Sequence, residues 1–116
     1  MLARYVNKYD RNDKFWWVGQ NPRFDMDFVE ALFKAEGDAY FGSWFDRRPV
    51  DTITLMIAAR LRGHIRPANY KLATLCETMG IPLDAHDALN DIRATRLLFH
   101  KAMDQFMMPA PAQATA

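Results

Sequence analysis

The chain has 116 residues, half of them hydrophobic and 13% aromatic, with 15 Lys and Arg against 14 Asp and Glu for a net charge of +1. That length suits one domain and not two, the apolar content excludes wholesale disorder, and the balance lacks the basic excess of a duplex-coating protein. A single cysteine, Cys76, excludes an internal disulfide framework and suits a reducing compartment; with no apolar run of bilayer length and no signal peptide, the expectation is a soluble cytoplasmic protein with no membrane partner.

Leu2, Tyr5, Val6 and Tyr9 recur at the spacing of one helical face, so Leu2–Tyr9 reads as a helix, uncapped and cut into at residue one rather than begun there. KYDRNDK is a polar turn. FWWVG, Phe15 to Gly19, is a β-prone run ended by glycine and reads as a buried strand. Asn21-Pro22 opens a helix running to about Glu36 and stopping at Gly37, with Phe24, Phe28, Leu32 and Phe33 as its expected inner face.

Asp38 to Pro49 reads as an aromatic loop ending in DRRP. Pro49-Val50-Asp51 is a short strand leading directly into a helix over Thr52–Arg62, and RGHIRPAN is a basic loop. Lys71–Met79 is a helix closed by Gly80 and Pro82. The final helix starts near Asp87 and carries Leu89, Leu97, Leu98, Met103 and Phe106, and PAPAQATA reads as a flexible tail. The expected organisation is therefore one α/β domain over 1–108, mostly helical with one or two short parallel strands, and a tail over 109–116.

Two acidic clusters carry candidate chemistry. His86 and Asp91 are five apart, so on a continuous helix their side chains would point roughly 140° apart. They converge only if His86 sits in the non-helical lead-in IPLDA, from which it can serve as a mobile base beside a helix-anchored aspartate. The plain alternative is that Asp87 and Asp91 complement the positive end of the helix dipole. Upstream, Asp25 and Asp27 fall early in a helix that follows a strand, where α/β folds place their sites; dipole complementation is again the alternative. The FWW run is core or a base-stacking platform, and Arg60, Arg62, His64, Arg66 and Lys71 form a phosphate grip or a solvated loop.

Taken together, the clusters resemble a known family. NPRFDMDFVEALF resembles the second motif of the DEDDh exonucleases, in which an asparagine precedes a Phe–Asp pair at a helix start. HDALNDIRATRLLF resembles their third motif, a histidine and an aspartate with four residues between, and YKLATLCETMGIPLDAHDAL is similar to its usual approach segment. The DT of PVDTITLMIAAR resembles the family's middle strand-to-helix junction. The family includes ribonuclease T and the proofreading epsilon subunit of bacterial DNA polymerase III. QFMMP near the end resembles, more faintly, peptides that dock onto sliding clamps.

The resemblance implies a ribonuclease H-like fold and two-metal hydrolysis of 3′-terminal phosphodiesters in single-stranded DNA or RNA. It implies Asp25 and Asp91 as ligands of paired Mg²⁺ or Mn²⁺, and His86 as general base. Gln20 and Asn21 would contact the terminal nucleotide. The family's first motif, an Asp-x-Glu pair on the first strand, has no counterpart; Asp10 and Asp13 sit in a turn. The chain therefore reads as the C-terminal half of such an enzyme, a partial fold with half its metal ligands. Two behaviours are expected: an exonuclease completed by a second chain, or a non-catalytic assembly module, homo-oligomeric or heteromeric, pairing through an open strand edge.

Overall fold

The computed structural model describes residues 1–84 and 87–107. The protein is mixed α/β, mostly helical, with two short parallel strands. The chain divides after Asp51 into two compact units, one built on the strands and one helical. Among the described residues no helix is long and apolar enough to cross a membrane.

The first unit opens with a single 3-10 turn, Leu2–Arg4, and not the two-turn helix that the apolar spacing predicts. The reason is local competition. Side-chain oxygens of Asp13, Asn7 and Asp10 accept from the backbone N–H groups of Asn7, Tyr9 and Asn12, at 2.8, 3.1 and 2.9 Å. Each such bond offers the backbone a turn in place of a helical ladder. Of the predicted face only Val6 is buried; Tyr5 and Tyr9 are exposed.

The FWWVG run is extended but is not uniformly buried. Phe15 bridges Phe45, and β1 (Val18–Gly19) pairs in parallel with β2 (Val50–Asp51), Val18 opposite Val50 and Gly19 opposite Asp51. Phe15, Trp17 and Gly19 face inward while Trp16 and Val18 are exposed, the alternation of a half-buried strand. Between bridge and strand the partner segment carries two extra residues. The Asp46 carboxylate accepts from the Arg48 N–H at 2.9 Å and holds that bend. The Asp38–Pro49 stretch is thus more than a loop: it contains α2, the one-turn helix Phe41–Trp44, and the bridging Phe45.

Between the strands, α1 spans Arg23–Ala35, with Pro22 as N-cap accepting the first helical bond from Met26 N at 3.0 Å. Gly19 eases this turn into the helix: a Cβ there would meet the Pro22 Cβ at 3.2 Å, a tight contact. The inner face differs from the expectation. Met26 is buried and Phe33 packs edge-on against Phe41 and Phe45, whereas Phe24, Phe28 and Leu32 are 76%, 59% and 49% exposed. At about 100° per residue, Phe24, Phe28 and Leu32 form a second stripe on the side opposite Met26 and Phe33. The unit's core is a ring cluster of Phe15, Trp17, Phe33, Phe41 and Phe45 with centroids 4.8–6.4 Å apart. Such offset and edge-on contacts each add about 1 kcal/mol beyond area burial.

In the second unit α3 (Thr52–Leu61) and α4 (Leu72–Met79) pack against α5 (Ala88–Phe106). Ala94, Leu98 and Ala102 lie four apart on one side of α5, small residues flanking a wholly buried leucine. They close on Met56, Leu75, Cys76, Met79 and Ile81. Of the apolar residues that the final helix carries, Leu89, Leu97 and Met103 are exposed. Gly80, at φ +70°, ends α4 in the left-handed conformation, with Ile81 N bonded back to Cys76 O at 2.8 Å and Lys101 Nζ to Met79 O at 3.0 Å.

Candidate functional site

In the first unit the candidate residues gather where the two parallel strands end and α1 begins. Gln20 follows β1 directly, and Asn21 adopts φ +53°, the one described residue other than glycine in the left-handed region. Asparagine tolerates that conformation better than other side-bearing residues. The turn is held across the strand pair: Asn21 N donates to Asp51 Oδ1 at 3.0 Å, from the last residue of β2. Strained residues held by their surroundings cluster at functional sites. Asp51 is the residue that sequence reasoning left without a role, although its strand-to-helix junction had been singled out. Only the pairing register reveals that it faces Gly19 and reaches the next turn.

Asp25 lies in the first turn of α1 and is exposed, as is Asp27. Seven residues before exposed Leu32, Asp25 lies at the border of the solvent-facing stripe of the helix and not on its inner face.

In the second unit the two acidic residues of the last helix separate into different roles. Asp87 is the N-cap of α5, its carboxylate accepting from Leu89 N at 3.0 Å. This is the capping arrangement that satisfies an otherwise orphaned helical N–H. Asp91 sits one turn further, its own N–H bonded to Asp87 O at 2.9 Å. Seven residues before Leu98, it projects from the core-facing side of α5 and is half-buried. Its carboxylate has no hydrogen bond or ion pair to a described residue; its main-chain oxygen accepts from Thr95 Oγ1 at 2.7 Å. The Cys76 thiol is pushed up first by burial and then by the charge of Asp91. His86, the expected base, lies outside the described residues, as does the tail from residue 108.

The structure therefore brings Asn21 and Asp51 together beside Gln20 in the first unit, and sets Asp91 inward on α5 in the second. Among the described residues no three His, Cys, Asp or Glu side chains gather as a ready cation cage.

The remaining sequence candidates divide. Arg60, Arg62, His64, Arg66 and Lys71 are exposed, but His64 stacks on Phe106 at 5.2 Å. Arg62 and His64 edge an apolar cavity of about 190 Å³ floored by Ala59, Ala102 and Phe106. QFMMP is not a free peptide over its described part: Gln105 and Phe106 belong to α5, and Phe106 packs against the core. The FWW run serves two ends, Trp17 in the ring cluster and Trp16 outward with the Arg48 guanidinium 5.4 Å from its ring.

No family model matches the chain, and no curated protein or solved structure is significantly similar to it.

Proposed function

We propose that this chain is part of a DEDDh-type 3′–5′ exonuclease with a ribonuclease H-like fold, hydrolysing 3′-terminal phosphodiesters of single-stranded DNA or RNA. The observation that carries the reading is Asp91. Its carboxylate sits half-buried on the core-facing side of the first turn of α5, without a bond to a described residue. Its neighbour Asp87 already satisfies the cap. A solvated, dipole-complementing aspartate would have no reason to face inward.

Asp25 and Asp91 are taken as half of the ligands of a divalent site. Mg²⁺ and Mn²⁺ take hard oxygen ligands, and Asp25 and Asp91 offer carboxylates at the first turns of two helices. In the proposal these two hold the ions, His86 takes a proton from the attacking water, and Gln20 and Asn21 contact the terminal nucleotide. When bound, the ions neutralise phosphate charge and acidify a water. The fixed turn of Asn21 against Asp51 supports a positioning role at that end, because it presents Asn21 in one backbone conformation. The other two carboxylates have to come from outside this sequence, from an adjoining segment or a second chain.

The test supplies the N-terminal half of a related exonuclease in trans and follows a 5′-labelled single strand with Mg²⁺. Shortening from the 3′ end that vanishes with His86→Ala and Asp91→Asn is the expected result. Undiminished cleavage by Asp91→Asn sinks the assignment.

A second reading, a non-catalytic assembly module, has its own support. β1 pairs with β2 alone among the described strands, and Trp16, Val18, Phe24, Phe28 and Leu32 are exposed. Unpaired edges and apolar stripes favour association with another copy or a strand-donating chain. Sedimentation of the purified chain discriminates: a monomer at high micromolar concentration argues against this reading.

A further inference from the structure

Lys8 is surrounded by aromatic rings drawn from distant parts of the first unit. Its ammonium lies 5.3 Å from the Tyr9 ring centroid, 5.5 Å from Trp44 and 5.9 Å from Tyr40. Tyr9 and Tyr40 are exposed, so each offers a free ring face or edge to solvent. The Lys14 ammonium is pinned nearby by two backbone carbonyls, those of Lys8 at 2.8 Å and of Ser43. Those acceptors are neutral, so the Lys14 charge remains available to a passing anion.

Lys14 also lines a shallow basic depression with Arg11, Arg47 and Arg48. Arg47 is paired with Glu30 and Arg48 with Asp46, at 2.5 and 2.7 Å. Both pairs are two-pronged, and a guanidinium's five N–H donors leave others for a second anion. Arg11 is exposed with no bond to a described carboxylate. Arg48 also extends over the ring of Trp16, itself 54% exposed. Side-chain contacts and the shared depression thus connect Trp16, Arg48, Lys14, Lys8 and the Tyr9–Tyr40–Trp44 group.

We propose that this surface, a basic depression with an aromatic platform at each end, binds single-stranded nucleic acid. Bases stack on Tyr40 or Tyr9 at one end and on Trp16 at the other, and the intervening phosphates lie against Arg11, Lys14 and Arg48. Single strands suit the arrangement because every base offers a π face, whereas a duplex hides its bases and would meet the cations alone. The acids nearest the surface are engaged: Asp10 and Asp13 accept backbone N–H groups, and Asp46 is paired. The surface uses none of the carboxylates proposed for catalysis. It rests on the nuclease reading only in taking nucleic acid, rather than another polyanion, as the ligand.

The experiment is fluorescence anisotropy of the full chain with a labelled oligothymidylate and the matching duplex, in chelator, across a salt series. Single-strand binding should exceed duplex binding, and Tyr40→Ala and Trp16→Ala should each weaken it by about tenfold. Tyr40→Phe should retain binding, which separates stacking from misfolding. Arg11→Ala should lower the salt slope by about one unit. Lys34→Ala and Tyr5→Ala, a cation and an aromatic residue off the surface, should change nothing. Equal affinity for duplex, or an unaltered Tyr40→Ala and Trp16→Ala, overturns the proposal, and so does the absence of binding at low salt. Because no metal is present, these outcomes are independent of whether the trans-supplied half restores cleavage. Stacking-dependent binding without cleavage leaves this surface standing and removes the catalytic reading alone.

Discussion

The turn at Asn21 permits a direct test of whether strain is held at the strand ends. The backbone there is left-handed, at φ +53°, and its N–H is anchored to Asp51 at 3.0 Å. Asn21→Ala keeps the anchored N–H but puts an ordinary side chain into that region, at a cost of about 1 kcal/mol. Asn21→Gly removes the steric cost and raises unfolded-state entropy, two opposing changes of similar size that leave stability within about 0.5 kcal/mol. Asp51→Ala removes the acceptor from an exposed amide that water can then serve, so the loss is about 1 kcal/mol. All three tryptophans, Trp16, Trp17 and Trp44, lie in the first unit, so their fluorescence in urea reports that unit directly. For a slope of about 2 kcal/mol per molar, the Ala variants should shift the midpoint down by about 0.5 M and Asn21→Gly by much less. Equal midpoints for Asn21→Ala and Asn21→Gly would show that the left-handed turn is not enforced. In the complemented cleavage assay Asn21→Gly isolates the side chain: full activity with the turn intact refutes its contact with the nucleotide.

Trp17 Nε1 is buried with no partner among the described residues, so Trp17→Phe trades lost ring area against removal of an orphaned donor. The net change should stay within about 1 kcal/mol, whereas Trp17→Ala should cost about 3 kcal/mol or more in the same urea titration. Leu98→Ala, at a wholly buried position between Ala94 and Ala102, should cost about 3 kcal/mol by helical circular dichroism; a loss below about 1 kcal/mol contradicts the α3–α4–α5 core. The Arg48 guanidinium, and then the Arg48 N–H, hold the Asp46 carboxyl at about 2. Because this folded value lies below the ordinary one, the pair's contribution is complete above the ordinary carboxylate range and is lost as pH falls toward 2. Carbon-detected NMR titration should find that low midpoint, and Arg48→Ala should raise it. With two of four expected carboxylates, the isolated chain should bind Mn²⁺ only weakly, and Asp91→Asn should abolish that binding; tight binding of two ions by calorimetry refutes the half-site.

Local punctuation was legible in the sequence and long-range placement was not. Gly80 and Pro82 mark the end of α4, Asp87 caps α5 through its carboxylate, and Val50–Asp51 leads straight into α3, all features decided within a few residues. The faces of α1 could not be read that way. Met26 and Phe33 share one side, Phe24, Phe28 and Leu32 the other, and both stripes keep helical spacing. Hydrophobicity favours the aromatic stripe, but the ring cluster of Phe41 and Phe45 decides, and it is assembled from later sequence. Asp91 behaves similarly. Its position in the first turn allows either a solvated acid or an inward one, and only the burial of Leu98 and Cys76 on its side of α5 separates them. Lys8 and its rings are the extreme case, joining residues 8 and 9 to residues 40 and 44 with no local pattern at all. The same reasoning bears on catalysis. A carboxylate set spread over two helices and a strand has no local signature beyond its individual acids, each of which has an ordinary use as a cap or dipole partner. What distinguishes Asp91 from its neighbour is that Asp87 already fills the cap, while Asp91 lies one turn further on the side of Leu98.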